Sequence, residues 1–174
     1  STIKQSFLVS FEGLKNYKGQ AFDQMQFSGY VLTADILGGE QLEKLLNATF
    51  EEKEVEILWE RDSDRRKHFF TIDSLKRYPD KQATLKVNWT GKSLDLDKKG
   101  EEIVVVPALN NFEIIESKVV QNPEQHVEIR FSDPLLKNQD LTGLVNLSNG
   151  TNLRIEIDDN ILKAWPSERI SGEL

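Results

Sequence analysis

The chain has 174 residues and a formal net charge of −7, and its hydrophobic fraction of 38% includes three Trp and nine Phe, enough for a packed core. The negative charge disfavours nucleic acid as a partner, and the absence of cysteine excludes disulfides, thiolate metal sites and cysteine nucleophiles. No apolar run approaches the roughly 18 residues that a membrane-spanning helix needs.

The N-terminal half of the chain carries apolar residues mainly at every second position, which predicts β-strands. One exception comes first, because the three leucines within residues 39–47 have helical spacing and predict one or two helical turns or an irregular crossover. Clean alternation follows at residues 55–59 and 84–90. Fuller apolar runs at residues 69–72 and 103–106 predict strands that are more deeply covered.

The C-terminal half continues the two-residue alternation at residues 127–131 and 153–157. Between the second of these runs and Ile161 stand Asp158, Asp159 and Asn160, residue types that tolerate positive φ and predict a tight hairpin. Half-buried alternating strands joined by short turns are typical of antiparallel sheets that each have one wet face. The sequence therefore predicts an all-β sandwich architecture.

A boundary between two domains is expected near Pro107, since proline cannot continue a central strand and a new β pattern begins at Phe112. Residues 1–109 are predicted to form a first immunoglobulin-like β-sandwich and residues 110–174 a second. The second has room for only four or five strands, whereas such a sandwich usually has about seven. We therefore expect the second domain to be truncated.

The residues that could carry chemistry do not form a constellation in the sequence, and the chain is predicted not to be an enzyme. His68 and His126 fall in different predicted domains and are interpreted as ordinary residues on strand faces. Gly38-Gly39 lacks the later Gly and the Lys of a phosphate-binding loop. Residues 95–100 begin like a calcium loop, but its twelfth position is Val106. No catalytic, metal-ligating or cofactor-binding residue is predicted, and no cofactor.

The three tryptophans offer the best case for a ligand site, as a platform for sugars. Trp59 and Trp89 lie on the apolar faces of their strands, and burial in a sandwich core is the commoner arrangement for such residues. Trp165, which precedes Pro166 at a strand end, is the remaining candidate.

Two further patterns are interpreted as features of the protein surface. The basic run at residues 65–67 follows two aspartates between strand-like segments, so a solvated turn is expected. Asn-x-Ser/Thr triplets are readily produced by chance, and we expect none of the four to be glycosylated; they begin at Asn47, Asn88, Asn146 and Asn149.

Several segments resemble the N-terminal region of bacterial alpha-2-macroglobulin proteins, in particular of members from Bacteroides-like bacteria. Residues 112–123 and 126–135 are similar to the start of a repeating sandwich domain in that family, with an alternating strand that ends in Phe-Ser-x-Pro-Leu. A polar segment containing Asp-Leu follows at residues 139–143. Residues 69–77 and 85–91 resemble the domain that precedes it.

The resemblance implies two macroglobulin-like domains that act as scaffold in a large exported protein, often a lipoprotein, which traps proteases. Proteases would then be partners of the whole protein, and neighbouring domains partners of this segment. The location implied is the periplasm or the cell surface, with a lipid anchor on a removed N-terminal segment as one form of attachment. The alternative is a carbohydrate-binding or adhesive immunoglobulin-like domain of a bacterial surface protein, because one fold serves many functions.

Overall fold

The computed structural model describes residues 6–16, 23–62, 66–136, 139–141, 143–148 and 150–170. Over these residues the chain forms twelve β-strands in three antiparallel sheets of four strands each, which confirms the all-β prediction. The chain divides into two compact units, Ser1–Asn111 and Phe112–Leu174. That division lies two residues beyond the expected boundary, and folding of the first unit without the second stays a prediction.

The first unit contains two four-stranded sheets and one short helix. Its elements, in chain order, are β1 (Phe7–Asn16), β2 (Gln24–Thr33), α1 (Gly39–Glu43), β3 (Leu46–Phe50), β4 (Lys53–Val55), β5 (Leu58–Arg61), β6 (Lys67–Lys76), β7 (Ala83–Thr90) and β8 (Lys99–Val106). One sheet has the strand order β1-β2-β6-β5 and the other β4-β3-β7-β8. The predicted helical turn is confirmed by α1, which contains Leu42, but Leu45 lies in the turn that follows and Leu46 begins β3.

The core of the first unit consists of the side chains that the two-residue period directs to one face of each strand. On β7 these are Leu85 and Val87, both fully buried. On β6 they are Phe70 and Ile72, and the ring of Phe70 contacts the ring of Phe27 at a centroid distance of 6.4 Å. Burial of such side chains removes apolar surface from water, which is the main stabilising contribution to the fold.

The two fuller apolar runs differ from the expectation of deeper coverage. In residues 69–72 burial alternates, so that Phe70 and Ile72 are buried and Phe69 is half-buried on the outer face. In β8 the prediction is wrong, because Ile103 and Val105 are 56% and 50% exposed. The physical reason is position: β8 is an edge strand of a sheet with only one face in the core.

The second unit forms one sheet over its described residues. Its strands are β9 (Ile114–Val120), β10 (His126–Phe131), β11 (Leu153–Asp158) and β12 (Ile161–Pro166), in the order β11-β12-β10-β9. The tight hairpin is confirmed between β11 and β12, where Asp159 has a φ of 56°. The four strands agree with the four or five that the sequence predicts.

No helix among the described residues has the length and apolar character required to cross a bilayer.

Candidate functional site

The face of the second unit's sheet that is opposite to buried Leu162 and Ala164 carries charges that pair across neighbouring strands. Glu128 of β10 stands opposite Lys118 of β9 and Lys163 of β12, and its carboxylate lies 3.0 Å from the ammonium of Lys118. Arg130 lies 3.3 Å from Glu116 in the same way. Opposite charges at directly opposed positions stabilise a sheet by about 0.2–1 kcal/mol a pair. These groups therefore have structural partners on their own sheet.

His126 is held by contacts to both of its ring nitrogens. Nδ1 lies 2.8 Å from the backbone oxygen of Glu124, and Nε2 lies 3.3 Å from Oε1 of Glu128. The imidazole also stacks on the ring of Trp165, with centroids 5.1 Å apart and planes inclined by 29°. Because each nitrogen faces an oxygen and one ring face is covered, the imidazole is engaged in structural contacts.

Trp165 is flanked by residues of the two strands that neighbour β12. His126 approaches from β10, and the guanidinium carbon of Arg154 on β11 lies 4.6 Å from the centre of the Trp165 ring. A guanidinium at this distance from an aromatic face makes a favourable cation–π contact. A sugar that stacked on Trp165 would have to displace one of these two neighbours.

A shallow groove of about 580 Å³ lies beside Trp165. We call it the Trp165 groove; its polar lining side chains include Glu124, Gln125, Asn152, Arg154, Ser167 and Arg169. One aromatic edge among hydrogen-bonding side chains is the type of surface on which a polar ligand would bind. Trp165 was the only one of these residues recognised from the sequence, because the others come together only when β12 pairs with both β10 and β11.

The environment of Glu128 lowers the pKa of its carboxyl below the ordinary value. Burial raises this pKa, but hydrogen bonds from Lys118 and His126, together with the positive charges of Lys118 and Lys163, outweigh the effect of burial. A carboxyl whose pKa is lower in the folded state contributes stability above its unfolded pKa. That contribution is lost as the pH falls through the folded pKa.

Replacing Glu128 with Gln is expected to reduce the acid sensitivity of the second unit. The unsubstituted chain should lose stability as the pH falls below the ordinary carboxyl pKa of 4.5, while the variant, less stable at pH 7, should lose less over the same range. Urea unfolding midpoints measured from neutral pH downward test this. Glu168→Gln, at an exposed carboxylate of the same unit, is the control. Parallel pH curves for the Glu128 variant and the unsubstituted chain would contradict the expectation.

His68 lies on the strand face of β6 that points into the core of the first unit. It is fully buried, and its Nε2 lies 3.4 Å from the hydroxyl oxygen of Thr33. His68 and His126 thus belong to different units. Within the part of the chain that the structure describes, no group of three His, Asp or Glu side chains has the arrangement of a metal site.

The remaining sequence patterns take ordinary structural positions where they are described. Asp95 and Asp97 are exposed after a short 3-10 turn, and Asp95 has a φ of 56°. Asn47 and Asn88 are hydrogen-bonded to each other on β3 and β7, at 3.3 Å. Gly38 precedes α1, whose first residue is Gly39. Asn146 donates to the backbone oxygen of Gly143, while Asn149 lies outside the described residues.

Of the basic run, Arg65 lies outside the described residues. Arg66 is exposed, and its backbone oxygen accepts a hydrogen bond from the amide of Thr33. Lys67 begins β6, and its ammonium lies over the rings of Tyr30 and Phe69 at 4.4 and 4.7 Å. These contacts make Lys67 part of the sheet surface.

Arg77, which follows β6, is a buried cation that the residue patterns did not identify. Its guanidinium donates hydrogen bonds to the backbone oxygens of Pro107 and Ala108, at 3.1 and 2.8 Å, and the residue is 1% exposed. These bonds fix the chain where it leaves β8. In the sequence, Arg77 was noted only as the last residue of the segment 69–77 that resembles bacterial alpha-2-macroglobulins, and this gave no indication that its side chain is buried.

Comparison with known proteins gives no relative: no family model, no curated protein and no solved structure matches the chain.

Proposed function

We propose that the chain is a non-catalytic scaffold made of two β-domains, and that it belongs to an exported protease trap of the alpha-2-macroglobulin type. The supporting observation is the pairing of the reactive side chains with one another. The imidazole of His126, the carboxylate of Glu128 and the guanidinium of Arg154 each contact a neighbour on their own sheet. Contacts of this kind stabilise the sheet itself, which supports a scaffold role.

The assignment to a protease trap is supported by the segments that resemble bacterial alpha-2-macroglobulins, at residues 69–77, 85–91, 112–123, 126–135 and 139–143. Two of them coincide with regular elements, since residues 69–76 lie in β6 and residues 85–90 in β7. In a trap of this kind, capture of the protease is a property of the whole molecule. This segment would hold neighbouring domains in position.

The native protein can be examined with an antibody raised against this chain. The proposal predicts that immunoblots of cells that make the protein show a band many times larger than 20.0 kDa in the cell-envelope or exported fraction. Brief exposure to an added protease should cleave that band and leave the protease bound to it. A band near 20.0 kDa, or an intact large band that binds no protease, would contradict the proposal.

A carbohydrate-binding role is the alternative, and the Trp165 groove is the observation that favours it. If it is correct, the chain should bind on a glycan array, and Trp165→Ala should abolish the binding. Phe112→Ala, which removes an exposed aromatic ring of the same unit, should leave the binding unchanged. Binding to no glycan, or equal binding by both variants, would exclude the platform.

A further inference from the structure

The edge strand β8 has the form of a self-association site. Over the described residues it is hydrogen-bonded to β7 on one side only, and it runs for eight residues, Lys99–Val106. Edge strands usually carry protection such as proline, a bulge or charge, because their unpaired backbone groups can pair with another chain. The charges of β8 lie in its first half, at Lys99, Glu101 and Glu102. The second half, from Ile103 to Val106, is apolar.

Two side chains of that second half are exposed on the same face of the sheet. Ile103 and Val105 stand opposite Lys86 and Thr84 of β7, and more than half of Ile103 and half of Val105 are accessible to water. β-Branched residues at these positions are favoured in strands because they pack against cross-strand neighbours. On the open side of β8 such neighbours are missing among the described residues.

The sequence of β8 is self-complementary in one antiparallel register. If a second copy pairs with β8 about a two-fold axis at Val104, Ile103 of each copy stands opposite Val105 of the other, on the same face. Glu102 then stands opposite Val106 on the other face, and Glu101 and Lys99 fall outside the apolar pairs. A two-fold axis at Glu101 or Glu102 would instead place like carboxylates directly opposite, which is destabilising.

We propose that β8 pairs with β8 of a second copy of this chain, antiparallel and centred on Val104, so that two four-stranded sheets become one sheet of eight strands. A two-fold interface of this type is complete with two copies, because each β8 is then paired on both sides. Because a single eight-residue strand of each copy would form the interface, little area would be buried, and the dimer is expected to be weak and transient. This self-association is independent of the protease-trap function.

The test uses the complete 174-residue chain and two charge variants that differ at one position. In Ile103→Lys/Val105→Lys, the proposed register puts lysine opposite lysine twice; in Ile103→Lys/Val105→Glu, it puts lysine opposite glutamate twice. Sedimentation equilibrium from about 10 μM to about 1 mM covers the weak range expected of small interfaces. Leu8→Lys, a similarly exposed apolar residue on the edge strand β1 of the other sheet, is the matched control.

The unsubstituted chain and the Leu8 variant should dimerise equally, and the lysine–lysine variant at least about tenfold more weakly, although its net negative charge is smaller. The lysine–glutamate variant should dimerise within about threefold of the unsubstituted chain. An unsubstituted chain that stays monomeric at about 1 mM would overturn the proposal. Equal dimerisation of both charge variants, or loss of dimer in both with retained circular dichroism, would overturn it as well.

Discussion

Replacing Phe70 with Ala is expected to lower the free energy of unfolding of the first unit by about 3–5 kcal/mol. The ring is 1% exposed and lies at the centre of an aromatic cluster, with centroid distances of 6.1 Å to Phe11, 6.4 Å to Phe27 and 5.8 Å to Trp59. Truncation removes the buried apolar surface and leaves a cavity that three rings cannot fill without moving. Chemical denaturation followed by far-UV circular dichroism measures the loss.

Phe69, the adjacent residue on β6, is the matched control for this substitution. It is half-buried on the outer face, where its ring contacts Tyr30 at 6.2 Å and lies under the ammonium of Lys67. Phe69→Ala should cost about 1 kcal/mol, because water already reaches part of the ring. If the two variants lost equal free energy of unfolding, β6 would not have one face in the core and the other exposed to water.

Arg77→Ala is expected to destabilise the first unit by about 2–4 kcal/mol. The substitution leaves the backbone oxygens of Pro107 and Ala108, both in buried residues, without the guanidinium donors that they now have. A buried acceptor that loses its partner costs about 1–3 kcal/mol, and the volume of the side chain is lost in addition.

Arg169→Ala provides the comparison for Arg77, because Arg169 is exposed in the second unit. Its removal should change the free energy of unfolding of the first unit by less than about 0.5 kcal/mol. Urea denaturation of the two variants side by side tests both expectations. A loss below about 1 kcal/mol for Arg77→Ala would mean that water replaces the guanidinium at these oxygens.

The alternating period of the sequence was sufficient to predict which residues form the core of several strands. Leu85 and Val87 are buried where the period places them. In β11, Ile155 and Ile157 are half-buried and alternate with exposed Glu156, as predicted. This succeeds because the pleat of a strand fixes the direction of each side chain locally, without reference to its partner strands. Trp89 lies on the predicted face but is only half-buried, since the strand reaches its end at Thr90.

The position of a strand within its sheet could not be predicted in the same way. The run at residues 103–106 is as apolar as that at 69–72, yet β8 is at an edge and β6 is between two strands. Strand order depends on long-range pairing, and the order β1-β2-β6-β5 joins segments that are far apart in sequence. The β3–β4 turn was also missed, because Glu51 and Glu52 adopt positive φ without being typical residues for it.

Predicting the candidate site from the sequence would have required the pairing register of the strands as well as their positions in the chain. Trp165 was recognised from the sequence, but its contacts with His126 and Arg154 follow from the pairing of β12 with β10 and β11. His126 was interpreted as an ordinary strand residue, and the structure places it in contact with a carboxylate and an aromatic ring. Side chains from three strands are in contact there, and a local sequence pattern cannot predict contacts between distant strands.

The first unit is expected to fold without the second, since its two sheets bury their apolar faces within residues 6–111. The direct measurement compares residues 1–111, expressed alone, with the complete chain by urea denaturation and by amide NMR spectra. If the first unit is a self-contained scaffold domain, the shorter chain should unfold in one cooperative transition. Its amide signals should be dispersed and should overlie those of the same residues in the 174-residue chain. A shorter chain with collapsed amide dispersion and no cooperative transition would contradict it.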